Sequence, residues 1–258
     1  MRKAELVDKL NSFLLDEMPQ YRIQAKDFEN DYVSKRRLLR SLMNIRPPMD
    51  ISEEFLSLQD ELLRMETAEK GVIDVSKLNG RIILWQGDIT RLNTDAVINA
   101  ANNKMLGCFY PCHSCIDNAI HSAAGIQLRL ECNQIMQKQS FDEPTGTAKI
   151  TSAYNLPSKY IVHTVGPVVQ GTLTDKHCKE LADCYKSCLS LAAENRLKSI
   201  AFCCISTGEF HFPNEKAAEI AVKEVTNFLG QNDSIEKVVF NVFKDMDYNI
   251  YKKLLKGV

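Results

Sequence analysis

The sequence has little that would direct the protein to a membrane or to nucleic acid. Its 258 residues carry 32 basic and 33 acidic side chains, so the formal net charge is −1 and the positive excess typical of nucleic-acid binding is missing. No apolar run approaches the roughly 20 residues that cross a bilayer, and the first residues lack an apolar signal core. We therefore expect a cytoplasmic protein that has neither a membrane nor nucleic acid as a partner.

The nine cysteines are an odd number, and no secretory signal accompanies them. In a cytoplasmic protein such residues are thiols or metal ligands more often than disulfide partners. Three of them share one loop with a histidine. The other six are scattered through patterns of regular secondary structure, and most are expected to be buried as small hydrophobic side chains: Cys132, Cys178, Cys184, Cys188, Cys203 and Cys204.

Residues 1–70 contain no glycine, cysteine or histidine, so nothing in them indicates catalysis. Apolar residues at helical spacing predict three helices, the second over residues 33–43 and the third beginning after a cap at Asp50. Pro47 and Pro48 end the second helix, because proline has no backbone donor. We expect a helical extension packed on the main domain or, alternatively, a surface on which a protein partner docks.

From about residue 71 onwards, strand patterns alternate with helix patterns. The strands are expected at residues 81–85, 96–99, 149–153, 160–164, 199–205 and 237–240, and the helices at 117–136, 176–195, 214–229 and 247–255. Such alternation predicts a central, largely parallel sheet with helices on both faces. The chain is thus expected to divide into a helical extension, residues 1–70, and an α/β domain, residues 71–258.

A cysteine-rich stretch, residues 99–118, follows a predicted strand and leads into a predicted helix. Ligand sites of α/β proteins lie at such junctions. Cys108, His113 and Cys115 have the side chains that Zn²⁺ prefers, and three protein ligands with an open fourth position are typical of catalytic zinc. Cys112 competes, because its spacing from Cys115 also suits a metal. The alternatives are a closed structural site that includes Cys112 and a metal-free turn.

Two shorter polar patterns also follow predicted strands. The carboxylate of Asp88 can accept from an exocyclic amine while the amide of Ile89 donates to a ring nitrogen, a pairing that suits adenine. Asn99 and Asn102 are separated only by alanines and can hydrogen-bond the vicinal hydroxyls of a ribose. A structural turn is the alternative for the first pattern, and an Asx-turn at a strand exit is the alternative for the second.

Residues 205–213 form another loop between a predicted strand and a predicted helix. Its small residues and single glycine can expose consecutive amides to a phosphate. Phe210 or Phe212 could stack on a sugar or a base; the alternative is a tight turn with its aromatic side chains in the core. One more motif, residues 163–167, reads His-Thr-Val-Gly-Pro after a strand.

These four motifs together resemble the macrodomain family of ADP-ribose-binding modules, over residues 81–258. The resemblance implies a three-layer α/β/α fold with a mixed, largely parallel sheet. It also implies that Asp88 and Ile89 hold adenine and that Asn99 and Asn102 line the distal ribose.

The same resemblance assigns the remaining residues of the site. Asp117 matches the acid of the family's catalytic loop, and Phe212 packs against the distal ribose. The diphosphate is cradled by Ser206, Thr207, Gly208, Glu209 and Phe210.

Two departures from the family pattern change these expectations. The glycine run that precedes the acid is here replaced by cysteine, proline and histidine, which cannot form the same amide-lined loop, so something else must order it. The insert resembles that of zinc-containing macrodomains, and the resemblance implies Cys108, His113 and Cys115 as the ligands. His211 stands where glycine is usual, which puts a backbone contact to phosphate at that position in question.

The motifs predict a zinc-dependent mono-ADP-ribosyl hydrolase that acts on modified protein side chains, with acidic residues in ester linkage favoured. The open metal position would face the distal ribose, Asp117 would orient or deprotonate the attacking group, and Asn102 would fix the ribose. One alternative is a reader that binds ADP-ribose without turnover and holds a structural zinc. Another is a hydrolase of small ADP-ribose derivatives, such as acylated ones.

Two histidines lie close to the predicted site in the sequence. His121 follows Asp117 by one helical turn, so it could support the metal site or the acid without binding the ion itself, or simply pack at the start of the helix. His163 is expected to be a hydrogen-bonded histidine at the end of a strand.

Overall fold

The computed structural model describes residues 1–257; Val258, the last residue of the expected α/β domain, lies outside the described residues. The chain begins with the three helices expected of the extension, which are α1 (Lys3–Glu17), α2 (Tyr32–Ile45) and α3 (Glu53–Lys70). No helix among residues 1–257 combines the length and the apolar character that a membrane crossing requires.

The three helices pack their apolar faces against one another in a cluster of their own. Leu10, Leu39 and Phe55 are fully buried there. Ile126, which belongs to the α/β part of the chain, joins the same cluster. The helical extension is therefore packed on the rest of the protein.

The predicted cap of the third helix is wrong. The side chain of Ser52, not that of Asp50, accepts the hydrogen bond from the amide of Phe55, at 3.2 Å. Both residues suit an N-cap, but only Ser52 lies at the position from which its oxygen reaches the free amides of the first turn.

The α/β part alternates strands and helices as expected. In chain order the elements are β1 (Ile73–Asp74), β2 (Ile82–Gln86), β3 (Leu92–Asn93), β4 (Ala96–Ala101), α4 (Ile116–Ala124), α5 (Ile126–Gln139), β5 (Ala148–Ser152), β6 (Tyr160–Val165), α6 (Asp175–Glu194), β7 (Ser199–Phe202), α7 (Asn214–Gln231), β8 (Lys237–Val242) and α8 (Asp245–Leu254). Six strands form one sheet in the order β2-β8-β7-β4-β6-β5. All neighbours are parallel except β5, which runs antiparallel to β6. The mixed, largely parallel sheet is thus confirmed.

The single helix predicted over residues 117–136 is wrong, because Gly125 divides it into α4 and α5. Gly125 has φ 101°, a backbone conformation that side chains other than glycine rarely adopt. A Cβ there would also lie 2.6 Å from Nε2 of Gln59 on α3. The amide oxygen of Gln59 accepts from the backbone of Ile126 at 2.9 Å, so α3 caps the start of α5 at this break.

The parallel strands all end at the same edge of the sheet, where α/β proteins bind ligands. Residues 87–91 follow β2 at one side of this edge. The segment after β7, residues 203–213, is called here the Ser206 loop, and the segment after β4, residues 102–115, is called the cysteine loop. Since β7 and β4 are neighbours, the fold places these two loops side by side.

Candidate active site

The cysteine loop and the Ser206 loop meet through two polar side chains. Nε2 of His113 lies 3.6 Å from a carboxylate oxygen of Glu209. Two segments that are almost 100 residues apart in the sequence therefore form one surface at the carboxyl edge of the sheet.

The cysteine loop brings together the three residues predicted as metal ligands. The ligand atoms of Cys108, His113 and Cys115 all lie within 4.8 Å of one another, and Sγ of Cys108 is 3.7 Å from Nδ1 of His113. Zinc binds sulfur and nitrogen at about 2.0–2.3 Å, which places its ligands within about 4.6 Å of one another. The donor set and its spacing therefore fit zinc.

Cys112, the competing ligand, faces away from this cluster. Its Sγ lies 3.3 Å from Oγ of Ser41 and 3.6 Å from the carbonyl oxygen of Arg37, both on α2. The geometry therefore favours three donors from the cysteine loop over a closed set of four.

Cys115 also connects the loop to the helix that follows. Its Sγ accepts from the amide of Asn118 at 3.4 Å and so caps the N-terminus of α4. Burial raises the pKa of the Cys115 thiol. Asp117 lies in the first turn of this same helix, two residues beyond the last donor.

Asp117 is a buried carboxylate held by two amides. Its side chain accepts from Nδ2 of Asn99 at 2.8 Å and from Nδ2 of Asn102 at 3.3 Å. Burial raises the pKa of Asp117 to about 6, against the hydrogen bond from Asn99, the positive charge of Arg129 and the hydrogen bond from Asn102, which all lower it. The carboxylate is therefore mainly ionised at neutral pH and can accept a proton.

Asn99 supports Asp117 from inside the sheet. Its Nδ2 also lies 3.1 Å from Nδ1 of His163, whose Nε2 is 2.9 Å from Oγ1 of Thr151. Burial lowers the pKa of His163 to about 3, so this ring is neutral. His163 is thus the hydrogen-bonded histidine expected from the sequence. The side chain of Asn99 has no exposed surface, and its contact with a ribose stays a prediction.

His121 lies against the same carboxylate. Its Nε2 is 3.5 Å from Oδ1 of Asp117, and burial lowers its pKa. Neither ring nitrogen has a hydrogen-bond partner among residues 1–257. His121 therefore both contacts the acid and packs within α4, two of the alternatives considered from the sequence.

The Ser206 loop takes its shape from its own backbone. Ser206 and His211 have φ 65° and 54°, in the left-handed region where glycine is usual. The amide of His211 donates to the carbonyl of Gly208, and that of Phe212 to the carbonyl of Ser206, both at 3.0 Å. His211 thus adopts the backbone conformation expected of the glycine that it replaces.

The side chains of this loop differ in exposure. Gly208 and Glu209 are exposed, whereas Thr207 and Phe210 are partly buried. Phe212 is 1% exposed and belongs to the hydrophobic core beneath the loop. Phe212 is therefore a core residue, as the alternative interpretation of this loop expected. Its contact with a distal ribose stays a prediction.

Gly166, at the end of β6, makes room for the Ser206 loop. A Cβ at this position would overlap Oγ of Ser206 and lie 2.9 Å from Cγ2 of Ile205. Any larger residue would therefore force the side chains of Ser206 and Ile205 to move.

Asp88 and Ile89 lie at the other side of the carboxyl edge, after β2. Oδ1 of Asp88 accepts from the amide of Thr90 at 3.0 Å and from its hydroxyl at 2.6 Å, while Nζ of Lys70 is 3.4 Å from Oδ2. The side chain of Ile89 is buried. The carboxylate thus fixes the turn, and the adenine contact of both residues stays a prediction.

Three residues of this region were not predicted as site residues from the sequence. Nδ2 of Asn118 donates to the carbonyl of Tyr110 at 3.0 Å, while Arg40 and Arg129 donate to the carbonyls of His113 and Leu106 in the cysteine loop. Asn118 directly follows Asp117, so its position in the motif was a usable signal. Nothing near Arg40 or Arg129 in the sequence indicates the loop they contact.

Comparison with known proteins identifies the family. The Macro domain profile matches residues 98–221, which include both loops. The chain is 53% identical over 254 residues to a protein-ADP-ribose hydrolase of Treponema medium, covering 95% of this chain and 96% of the relative. It is 48% identical over 221 residues to a protein-ADP-ribose hydrolase of Staphylococcus aureus strain MSSA476, covering 84% and 83%.

Solved structures agree with the sequence matches. A Trypanosoma brucei macrodomain in complex with ADP-ribose has a TM-score of 0.65 at 29% identity, covering 84% of this chain and 94% of that one. An Oceanobacillus iheyensis macrodomain with ADP has a TM-score of 0.61 at 38% identity, covering 67% and 89%. With the fold, the order of its loops and these relatives in agreement, the chain belongs to the macro domain family.

Proposed function

We propose that this protein is a zinc-dependent hydrolase that removes ADP-ribose from modified protein side chains. One observation carries the proposal: three zinc-type donors cluster on the loop that leads directly into the helix of Asp117. The relatives named protein-ADP-ribose hydrolases support the reaction. The proposal assigns binding and catalysis to residues 71–258 and treats residues 1–70 as a helical extension.

Cys108, His113 and Cys115 would hold the ion. His113 would bind it through Nδ1, because this atom faces Cys108 while Nε2 faces the carboxylate of Glu209. A carboxylate on the second nitrogen orients the imidazole of a metal-binding histidine. When bound, zinc supplies a Lewis acid at the distal end of the ADP-ribose.

Asp117 is the proton acceptor of the proposed reaction. Burial raises the pKa of Asp117 above the ordinary range of an aspartate, which suits a group that takes up a proton and returns it. Asn102, which is partly exposed, would orient the ribose, and the buried Asn99 keeps the carboxylate in position. Together these residues can deprotonate a hydroxyl or a water molecule that approaches the ribose.

The other two loops would bind the rest of the ligand. The Ser206 loop would cradle the diphosphate with backbone amides, through Ser206, Thr207, Gly208, Glu209 and Phe210. Asp88 and Ile89 would hold the adenine at the far side of the same edge. Binding energy from these remote groups would position the ribose for reaction.

An acidic residue in ester linkage is the modified group that we favour. The carbonyl of an ester is an electrophile that a Lewis acid polarises, and the carboxylate released needs no further protonation at neutral pH. The substrates are then a mono-ADP-ribosylated protein and its ADP-ribose group.

The test compares the full chain with Asp117→Ala on three substrates: a protein modified on acidic residues, a protein modified on arginine, and O-acetyl-ADP-ribose. We expect the wild type to release ADP-ribose from the first, and Asp117→Ala to release little. Tight binding without release would identify a reader, and release from the small ester alone would identify the other alternative.

Metal analysis tests the cofactor separately. Protein purified without added zinc should contain close to one equivalent. A content near zero, with turnover that chelators do not change, would remove zinc from the proposal and leave the hydrolase.

A further inference from the structure

Helix α2 contacts the cysteine loop through Arg40. Nη2 of this residue donates to Oδ1 of Asn118 at 2.7 Å and to the carbonyl of His113 at 3.3 Å. Nε donates to the same Asn118 oxygen at 3.3 Å. One guanidinium from the N-terminal helices therefore holds both the backbone of a proposed zinc ligand and the first turn of α4.

Asn44, one turn further along α2, holds the middle of the loop. Its Oδ1 accepts from the amide of Cys112 at 2.9 Å, and its Nδ2 donates to Oγ of Ser122 at 3.0 Å. Asn44 is 2% exposed, so both bonds are shielded from water. Cys112 has φ 53°, a conformation that a residue other than glycine keeps only where its surroundings impose it.

Ser41 lies between Arg40 and Asn44 on α2, and its hydroxyl contacts the thiol of Cys112, the competing ligand. The contacts of the Cys112 side chain with Ser41 and with the carbonyl of Arg37 direct it to α2. The three donors of the cluster are thereby left facing one another. Arg40, Ser41 and Asn44 are called here the α2 clamp.

Arg129 on α5 ties the other side of the loop to the end of α2. Its Nε donates to the carbonyl of Leu106 at 2.6 Å, and its guanidinium lies over the ring of Phe109, 4.2 Å from the ring centroid. Its Nη1 donates to the carbonyls of Met43 and Arg46, at 3.1 and 2.5 Å. A positive charge among the last carbonyls of a helix is favourable, so α2 and the loop share one buried cation.

We propose that the α2 clamp positions the cysteine loop, so that Cys108, His113 and Cys115 are ordered before the ion arrives. This inference rests on the proposed function, which supplies zinc as the ion. A loop without regular secondary structure loses conformational entropy when it closes on a metal. With the clamp in place, the loop loses this entropy when the protein folds and not when the metal binds. The N-terminal helices thereby support the site although they contribute no ligand.

The experiment measures the zinc affinity of the full chain by competition with a chromophoric chelator. Arg40→Met and Asn44→Leu keep the size of each side chain and remove its bonds to the loop. Each should weaken zinc binding about tenfold, the lower end of the effect seen when a group that supports metal ligands is removed. Arg40→Lys, which can donate to one of the two acceptors, should restore part of the affinity.

Arg36→Gln is the matched control. Arg36 lies on the same helix and makes a bidentate pair with Glu66 of α3, at 2.6 and 2.8 Å, without a hydrogen bond to the loop. It should lower the thermal midpoint and leave the zinc affinity within about twofold. Wild-type affinity in both Arg40→Met and Asn44→Leu would overturn the proposal, as would an equal loss in Arg36→Gln.

Two further measurements separate this proposal from the function on which it rests. The absorption spectrum of the Co²⁺-loaded protein should change in the clamp variants, because donor geometry sets that spectrum. If the wild type binds no zinc, the metal assignment fails. Hydrogen exchange at residues 108–115 then tests whether the α2 clamp orders the loop. Faster exchange there in Arg40→Met and Asn44→Leu than in Arg36→Gln supports it, and equal exchange overturns it.

Discussion

The cysteine loop and the Ser206 loop have equivalent places in the fold but are shaped by different means. Each follows a parallel strand and leads into a helix, and their strands β4 and β7 are neighbours. Both loops contain left-handed residues other than glycine, Ser206 and His211 in the Ser206 loop and Met105 and Cys112 in the cysteine loop. The cysteine loop is in addition held by side chains from other elements, such as Asn44 and Arg129.

The difference shows what each loop requires from the rest of the chain. The Ser206 loop needs space at the end of β6, and Gly166 leaves that space for the side chain of Ser206. The proposed metal donors of the cysteine loop need an ion and a fixed backbone, and α2 fixes the backbone. Apart from the contact between Glu209 and His113, each loop should therefore respond mainly to changes in its own supports.

The largest effect is expected for Cys108→Ala, which removes one of the three proposed donors. Release of ADP-ribose from a modified protein should fall about a thousandfold or more, since a bound metal contributes several kcal/mol to transition-state stabilisation. Calorimetric affinity for free ADP-ribose should stay within a few fold, because the Ser206 loop is untouched. Cys112→Ala should keep the zinc content; loss of the ion there would instead make Cys112 a ligand.

Asp117→Asn should lower kcat about a hundredfold, within the range typical of general acid–base groups. The amide keeps the size of the side chain but cannot take up the proton. Zinc content, measured on the same preparation, should stay at the wild-type value. A variant with wild-type kcat would show that the proton goes to another group.

Gly166→Ala affects the Ser206 loop alone. The added methyl group overlaps Ser206 Oγ, and such overpacking costs about 1–3 kcal/mol of stability. Affinity for ADP-ribose should fall about tenfold while the zinc content stays unchanged. If the variant lost zinc as well, the two loops would be one cooperative unit and the contrast between them would not hold.

The smallest effect concerns His163, which lies on β6 beside Asn99. Its pKa is lowered to about 3 by burial, so its contribution to stability is full above the unfolded pKa of about 6.5 and is lost as pH falls from there towards 3. Below pH 6.5 the wild type should lose roughly 1.4 kcal/mol of unfolding free energy per pH unit through this group. Urea titrations at pH 7 and 5.5 should show a smaller change in unfolding free energy for His163→Gln than for the wild type. An equal change in both proteins would contradict the lowered pKa assigned to His163.

Much of the fold could be predicted because its signals are local. The strands and helices after residue 71 follow from apolar periodicity and turn residues, and the parallel sheet follows from their alternation. The break at Gly125 was missed because one glycine inside a helical pattern is compatible with a continuous helix. It becomes a break only through α3, whose Gln59 occupies the space of a Cβ.

The site was predictable where it is written in short motifs. Cys108, His113 and Cys115 meet because they lie within eight residues of one another. That Asn99 and Phe212 point inwards could not be read from the sequence, since burial depends on what packs above them. The contacts of Arg40 and Asn44 join residues that are about 70 apart, and no local pattern records such a pairing.

The clamp also has a consequence for the order of events on the ribosome. Synthesis proceeds from the N-terminus, so α2 has left the ribosome before the cysteine loop is made. The α2 residues that hold the loop are thus made before the loop itself. In a circular permutant that places residues 1–70 after α8, the same loop would be made first and wait for its clamp.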